Sequence, residues 1–313
     1  MTALLREGMG AEEVFDVEYA VDVGGTKIAY AIIDGQHIVA EGSLATDGRP
    51  PEDRLPAVGE ALKALAQDRG ASPAALGLSL PGPIAHGVLL HAPNLHRAWV
   101  GRRIDEILRL LGLGVPGAAQ RDALLGGLGE YVAGAGQGLD SFAYLTLGTG
   151  VGGGLILHGE PLLGTDGAAG EIGHLTVEPR GPLCGCGRRG CVESVASGTA
   201  IGKIYLAETG EEVPGSEIAR RARGGDMVAR RVFGRAGAAL GTACAAWAQV
   251  ANPQAVIAGG SLAQSLDLLL PSLERSLHRR AWSANLPLPI IPAKLGGPAP
   301  LVGAAYFARR HAR

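Results

Sequence analysis

Val21-Asp22-Val23-Gly24-Gly25-Thr26-Lys27 has a near copy later in the chain, Leu145-Thr146-Leu147-Gly148-Thr149-Gly150-Val151. The two align without gaps, and the likeness runs on to Gly35 in the first and Gly159 in the second. Each consists of an apolar, β-rich run, a glycine-rich turn, a second apolar run and a closing glycine, the signal of a tight hairpin. The interval between the copies is too long for a solenoid repeat, so the echo points to two related domains. Two such hairpins facing each other across a cleft can hold a polyphosphate from both sides. Turn amides without side chains are free to point at phosphate oxygens. That makes Gly24, Gly25, Thr26 and Lys27 in the first turn, and Gly148, Thr149 and Gly150 in the second, candidate nucleotide contacts. Thr26 adds a hydroxyl donor and Lys27 a charge, while Asp22 at the strand end is placed to act on a magnesium ion through waters. The pattern is not a Walker loop, because a strand rather than a helix follows the lysine. Either turn alone also reads as a plain hairpin.

Outward from these hairpins the chain alternates strands and helices. Pro56 to Arg69 has helical apolar spacing and ends at Gly70. Leu76 to Leu80 reads as a short buried strand stopped by Pro81-Gly82-Pro83. Helices are expected over Ile104 to Leu111, Asp122 to Ala133, Gly198 to Leu206, Met227 to Val250 and Leu301 to Arg310, with Gly114 to Arg121 as an irregular link. Ala255 to Ile257 reads as a strand leading into Gly259-Gly260.

Bulk properties set limits. The 313 residues carry a formal net charge of -2, with 47% hydrophobic and 19% charged residues, a balance that can fill two cores. A weakly acidic chain offers no electrostatic footprint for nucleic acid or an anionic membrane, and no apolar run is long enough to span a bilayer. Residues 1–16 read as a short tail without the basic start and apolar run of a signal peptide, so a cytoplasmic location is expected. Thiols stay reduced there, and three of the four cysteines fall between Cys184 and Cys191. Such a cluster reads as metal binding before disulfide bonding. With His174 in Gly170-Glu171-Ile172-Gly173-His174, the residues Cys184, Cys186 and Cys191 complete a closed Cys₃His set suited to structural zinc. Cys244, in an alanine-rich helix, reads as a small buried apolar residue.

Three carboxylates stand out. Asp122 near a helix start can take a proton from an attacking sugar hydroxyl, though by itself it reads first as a helix cap. Glu171 and Glu193 flank the zinc-ligand segments, so a metal would fix them as acceptors for a hydroxyl-rich ligand; otherwise they are surface acids.

These stretches, with Leu80 to Pro83, Ala92-Pro93-Asn94-Leu95 and Ile257 to Gly260, make the chain resemble the ROK family of repressors, open reading frames and sugar kinases. The likeness runs from about Tyr19 to the C-terminus. It implies an α/β, two-domain actin/hexokinase-like (ribonuclease H-like) fold with a ligand cleft between the domains. The first domain would span 17–120 and the second 121–313, with the last helix packing back on the first. It implies ATP and magnesium between the glycine turns, Gly259 and Gly260 near adenosine, and Asp122 as general base. It also implies Glu171, His174, Glu193 and Asn94 around the sugar, structural zinc, and a homodimer or homotetramer.

The chain departs from the family at Arg121-Asp122-Ala123-Leu124, where relatives usually read Asn-Asp-Ala-Asn. The first asparagine both donates to and accepts from a sugar hydroxyl, whereas Arg121 only donates. Facing the cleft, Arg121 would alter substrate preference or partly fill the pocket, and a cation there would weaken Asp122 as a base. Facing solvent, it would cost one contact. The expected activity is ATP-dependent phosphorylation of a hexose at its primary hydroxyl, glucokinase-like. The alternatives are a sugar-binding regulatory protein with weak or altered kinase activity, motivated by Arg121, and a DNA-binding repressor. Only about twenty residues precede the first turn, too few for a helix-turn-helix domain.

Overall fold

The computed structural model describes residues 17–312; the tail of residues 1–16 lies outside them. β1 (Val17–Val23) folds back on β2 (Lys27–Asp34), and β2 on β3 (His37–Ala45). After α1 (Pro51–Arg69), β4 (Ala75–Leu80) joins β1 in parallel. The short hairpin of β5 (Ile84–Ala85) and β6 (Val88–Leu89) and then α2 (Ile104–Leu110) lead to β7 (Gly117–Arg121), parallel to β4. The first sheet has the order β3-β2-β1-β4-β7.

α3 (Asp122–Ala133) crosses to the second half, where β8 (Phe142–Leu147), β9 (Val151–Leu157) and β10 (Glu160–Pro161) follow. A long insertion carries α4 (Val192–Ala196), α5 (Gly198–Thr209), α6 (Gly215–Arg223) and α7 (Met227–Ala251). β11 (Val256–Gly259), α8 (Leu266–Arg280), β12 (Ile290–Pro292) and α9 (Ala299–His311) complete the chain. The second sheet runs β10-β9-β8-β11-β12, the same order of antiparallel and parallel neighbours as the first. The repeated topology is that of the actin/hexokinase-like, ribonuclease H-like fold.

Side-chain alternation divides the packing into three cores. Val17, Tyr19, Val21 and Val23 face α1 and α2, while Ala20 faces the other way. Ala143, Leu145 and Leu147 face the α4–α8 layer, while Phe142 and Tyr144 join Ala20 in a shared middle core built on α3 and α9. Strand side chains alternate between faces, so each central strand serves two cores at once. α9 lies close against the first sheet because Gly77 has no side chain: a Cβ there would sit 2.0 Å from the Ala304 carbonyl oxygen. Arg309 on α9 also forks onto the buried carboxylate of Glu18 in β1.

Several local expectations change. The apolar run after Gly35 forms a third strand, and the stretch ending at Arg121 is a strand rather than an irregular link, because β4 supplies it with a ladder. α6 and α8, whose apolar residues Ile218, Ala219 and Ala222 and Leu266, Leu269, Leu273 and Leu277 recur at helical spacing, and the short edge strand β12 add to the elements expected, the helices packing on the α7 layer and β12 pairing with β11. The two hairpins are not superimposable residue for residue: Val23 pairs with Ile28, but Leu147 pairs with Val151. The first turn is therefore one residue longer, room that Thr26 and Lys27 share.

Candidate active site

The first turn is braced from below. Thr46, fully buried, donates its hydroxyl to the Gly24 carbonyl at 2.6 Å, and its amide donates to the Thr26 carbonyl at 2.9 Å. Gly25, Thr26 and Lys27 are left exposed at the lip. Gly25 must lack a side chain, since a Cβ would lie 2.8 Å from Cβ of Asn94. Across the cleft the second turn is tied to the start of α5, with the Gly198 amide donating to the Gly148 carbonyl at 2.8 Å. Gly260, at φ +86, packs on the Leu147 backbone beside that turn.

At the ends of β1 and β8, the strands that lead into the two turns, lies a cavity of about 370 Å³ lined by Asp22, Asp122, Thr146, Gly260, Ser261 and Gln264, among others. Asp22 is the next-to-last residue of β1, and the fully buried Ser79 on β4 donates to its Oδ1 at 2.5 Å. Burial raises the Asp22 carboxyl above its usual range, with that hydrogen bond and Lys27 pulling it back. Asp122 is the first residue of α3, and Arg121 is the one in the capping position. Its Oδ1 accepts from the next amide, Ala123, at 2.7 Å. An N-cap carboxylate accepts from an amide two or three residues on, so Asp122 does not cap α3 in that manner. Burial first, then the charge of Asp22, pushes its carboxyl up to about 6, against the opposing pull of the Ala123 amide and Arg121. One wall of the cavity, Gly296-Gly297, is fixed from behind by Glu130. That fully buried carboxylate accepts from Ala135 N at 2.7 Å, Lys294 N at 3.0 Å and Leu295 N at 2.8 Å.

A second cavity, about 590 Å³, opens beside Asn94, Thr149, Gly150 and Glu193. Glu193 on α4 accepts from Val151 N at 3.1 Å through Oε2. Gly150 makes room for it, since a Cβ there would fall 2.5 Å from that oxygen. The cysteine cluster sits behind it, with Cys184 Sγ 4.0 Å from Glu193 Oε1.

The ligand atoms of His174, Cys184, Cys186 and Cys191 all lie within 4.8 Å of one another. Cys184 Sγ stands 3.7 Å from His174 Nδ1, and Cys186 Sγ stands 3.6 Å from Cys191 Sγ. These separations are too long for a disulfide and match the edges of a tetrahedron with about 2.3 Å and 2.0 Å metal bonds to sulfur and nitrogen. The set fits a four-coordinate thiophilic metal.

Arg121 adopts neither of the poses expected from sequence. It is 3% exposed, and its guanidinium turns onto the segment that carries Glu171. Nη1 donates to Glu171 Oε1 at 2.6 Å and Nη2 donates to the Ala169 carbonyl. It reaches neither solvent nor an open pocket. Leu124, also fully buried, packs on Gly154.

Thr46, Ser79, Ser261 and Gln264 were not anticipated. Ser79 had a signal, a lone hydroxyl in the apolar run Ala75–Leu80; Thr46 had none, because β3 itself was not recognised.

Two repeated sheets, a glycine turn from each, and carboxylates buried between them define a cleft phosphotransferase-type architecture of the actin/hexokinase class. Residues 18–311 match the ROK family, and the chain belongs to it. It is 34% identical over 277 residues to the glucokinase of Thermotoga maritima, covering 82% of this chain and 86% of that one. It is 32% identical to the kanosamine kinase of Amycolatopsis mediterranei, covering 92% and 94%. Among solved structures it is similar to the ROK family glucokinase from Streptomyces griseus in complex with glucose and AMPPNP. The TM-score there is 0.78 at 32% identity, over 94% of this chain and all of that one. Among the described residues, no helix is long and apolar enough to cross a membrane.

Proposed function

We propose that the protein transfers the terminal phosphoryl group of ATP to the primary hydroxyl of a neutral hexose, with glucose the reference acceptor. The observation that carries this is Asp122. Asp122 lines the cavity at the ends of β1 and β8, together with Asp22, and a carboxyl pushed up to about 6 suits a base working at neutral pH. Asp122 takes the proton as the sugar oxygen attacks phosphorus, and the bond from phosphorus to the bridging oxygen of ADP breaks. The amides of the two turns hold the phosphates in line. Asp22, held by Ser79, would be the carboxylate that holds the magnesium accompanying ATP, and Gly259-Gly260 would lie near the nucleoside. Asn94, Glu171, His174 and Glu193 accept or donate to the ring hydroxyls. His174, Cys184, Cys186 and Cys191 would hold a zinc ion that takes no part in the transfer and fixes the loops from which Glu171 and Glu193 project.

The names of the relatives support a sugar acceptor and leave amino sugars open beside glucose. A sugar acid is disfavoured, because the guanidinium of Arg121 is already paired with the Glu171 carboxylate. The test is coupled ADP release with Mg-ATP over a panel of glucose, mannose, fructose, glucosamine, N-acetylated amino sugars and glucuronate. Sugar-dependent release with a neutral or amino hexose is expected. Release at the same slow rate with and without every sugar overturns the proposal.

A further inference from the structure

Arg121 and Glu171 form a pair whose two ends differ sharply in exposure: the arginine side chain is 3% exposed and the glutamate 32%. The guanidinium is buried while the carboxylate keeps an exposed edge, so a ligand reaching this loop would meet Glu171 and not Arg121. The grip is double, on the Ala169 carbonyl and on Glu171 Oε1, and it straddles Gly170. Gly170 sits at φ +88, and a Cβ on it would stand 3.4 Å from Arg121 Nη2, so the segment closes tightly over the guanidinium. Glu171 is also the residue that opens the short 3₁₀ turn Ile172–His174. Arg121 thus fastens the loop bearing Glu171 and His174 to the end of β7, one residue before Asp122.

A glutamate on a loop has several rotamers, and a ligand that must order one loses affinity for doing so. A charge-assisted bond from a buried arginine removes that cost beforehand. It also occupies Oε1, leaving Oε2 as the free acceptor. Resting on the hexose-kinase reading above, we propose that Arg121 is a positioning residue. It holds Glu171 in one rotamer that presents Oε2 to a hydroxyl of a neutral sugar. It sets sugar affinity through Glu171 alone, and by spending its own charge on that carboxylate it does not itself attract a sugar acid.

The test is a double-mutant cycle of Arg121→Met and Glu171→Gln, read by calorimetric sugar binding as well as by kinetics. Arg121→Met should weaken hexose binding about 10- to 100-fold, the worth of a charge-assisted bond, with KM raised in step. Its kcat should stay within about threefold, and KM for ATP should not move. In the Glu171→Gln background the same substitution should change sugar affinity by less than about threefold, because the route of action is gone. Arg121→Lys keeps a charge but cannot grip both partners, and should recover part of the affinity; it serves also if the methionine variant does not fold. Wild-type protein should bind glucuronate at least about tenfold more weakly than glucose. Additive effects in the cycle, loss of kcat with sugar affinity intact, or tighter binding of glucuronate than glucose each overturn the proposal. Sugar binding with full coupling but no ADP release would sink the kinase reading and leave this one standing. ADP release without coupling would do the reverse.

Discussion

Asp122→Asn separates a catalytic carboxylate from a structural one, because the two roles predict opposite changes in activity and stability. The side chain keeps its size and an oxygen that can accept from Ala123 N, so the fold has no steric reason to move. Turnover should fall by a factor on the order of 10² to 10⁴, the usual worth of a positioned base, with sugar and ATP binding nearly unchanged. Stability should rise. The Asp122 carboxyl is raised from 3.8 to about 6, chiefly by burial and then by Asp22. A raised acid contributes stability that is fully present below the unfolded value and is lost as pH climbs through the folded one. Integrating that shift gives a cost of about 3 kcal/mol above pH 7, shrinking to about 1 kcal/mol near pH 4.5. The residue borders an open cavity and is only partly buried by area, so solvent screening makes these upper bounds. The asparagine variant should therefore melt several degrees higher than wild type at pH 8, with the gap narrowing at pH 4.5. Thermal melts at both pH values and single-turnover kinetics decide the matter. Near-normal turnover, or a variant less stable than wild type at pH 8, would refute the assignment of Asp122 as a buried base. Wild-type turnover should also fall as pH drops through about 6, where Asp122 takes up its proton.

Purified protein should contain about one zinc per chain, and chelation or Cys186→Ser should lower both Tm and sugar affinity; metal analysis of fresh protein finding no zinc would contradict this. Gly150→Ala places a Cβ 2.5 Å from Glu193 Oε2, so that carboxylate must shift; sugar KM should rise about tenfold or more while Tm changes little, checked by kinetics and melting. Ser79→Ala removes the donor to Asp22 Oδ1; KM for Mg-ATP should rise by about five- to tenfold with sugar KM unmoved, and an unchanged nucleotide KM would show that the Ser79 hydroxyl is dispensable.

The chain announces its fold because the signals are local. Two apolar-glycine-apolar stretches mark the paired hairpins, and a hairpin turn is specified by the few residues in and beside it. Gly170 to His174 and Cys184 to Cys191 likewise state a metal-binding chemistry in residue types and spacing. Asp122 could be seen as a carboxylate at a helix start, but not as one held near pH 6. That property comes first from burial and then from Asp22, both of which arise only when β1 and α3 are brought together. Tertiary structure alone decided the rest. Ser79 meets Asp22 across 57 residues of sequence and Arg121 meets Glu171 across 50, pairings that no periodicity encodes. The strand ending at Arg121 exists because β4 pairs with it, and the sequence around Gly114 carries no ladder of its own. Residue type and spacing determine which groups are present and which local turns they favour. Which carboxylate is buried beside which charge, and whether an arginine faces a ligand or braces a glutamate, is set by packing between segments far apart in the chain.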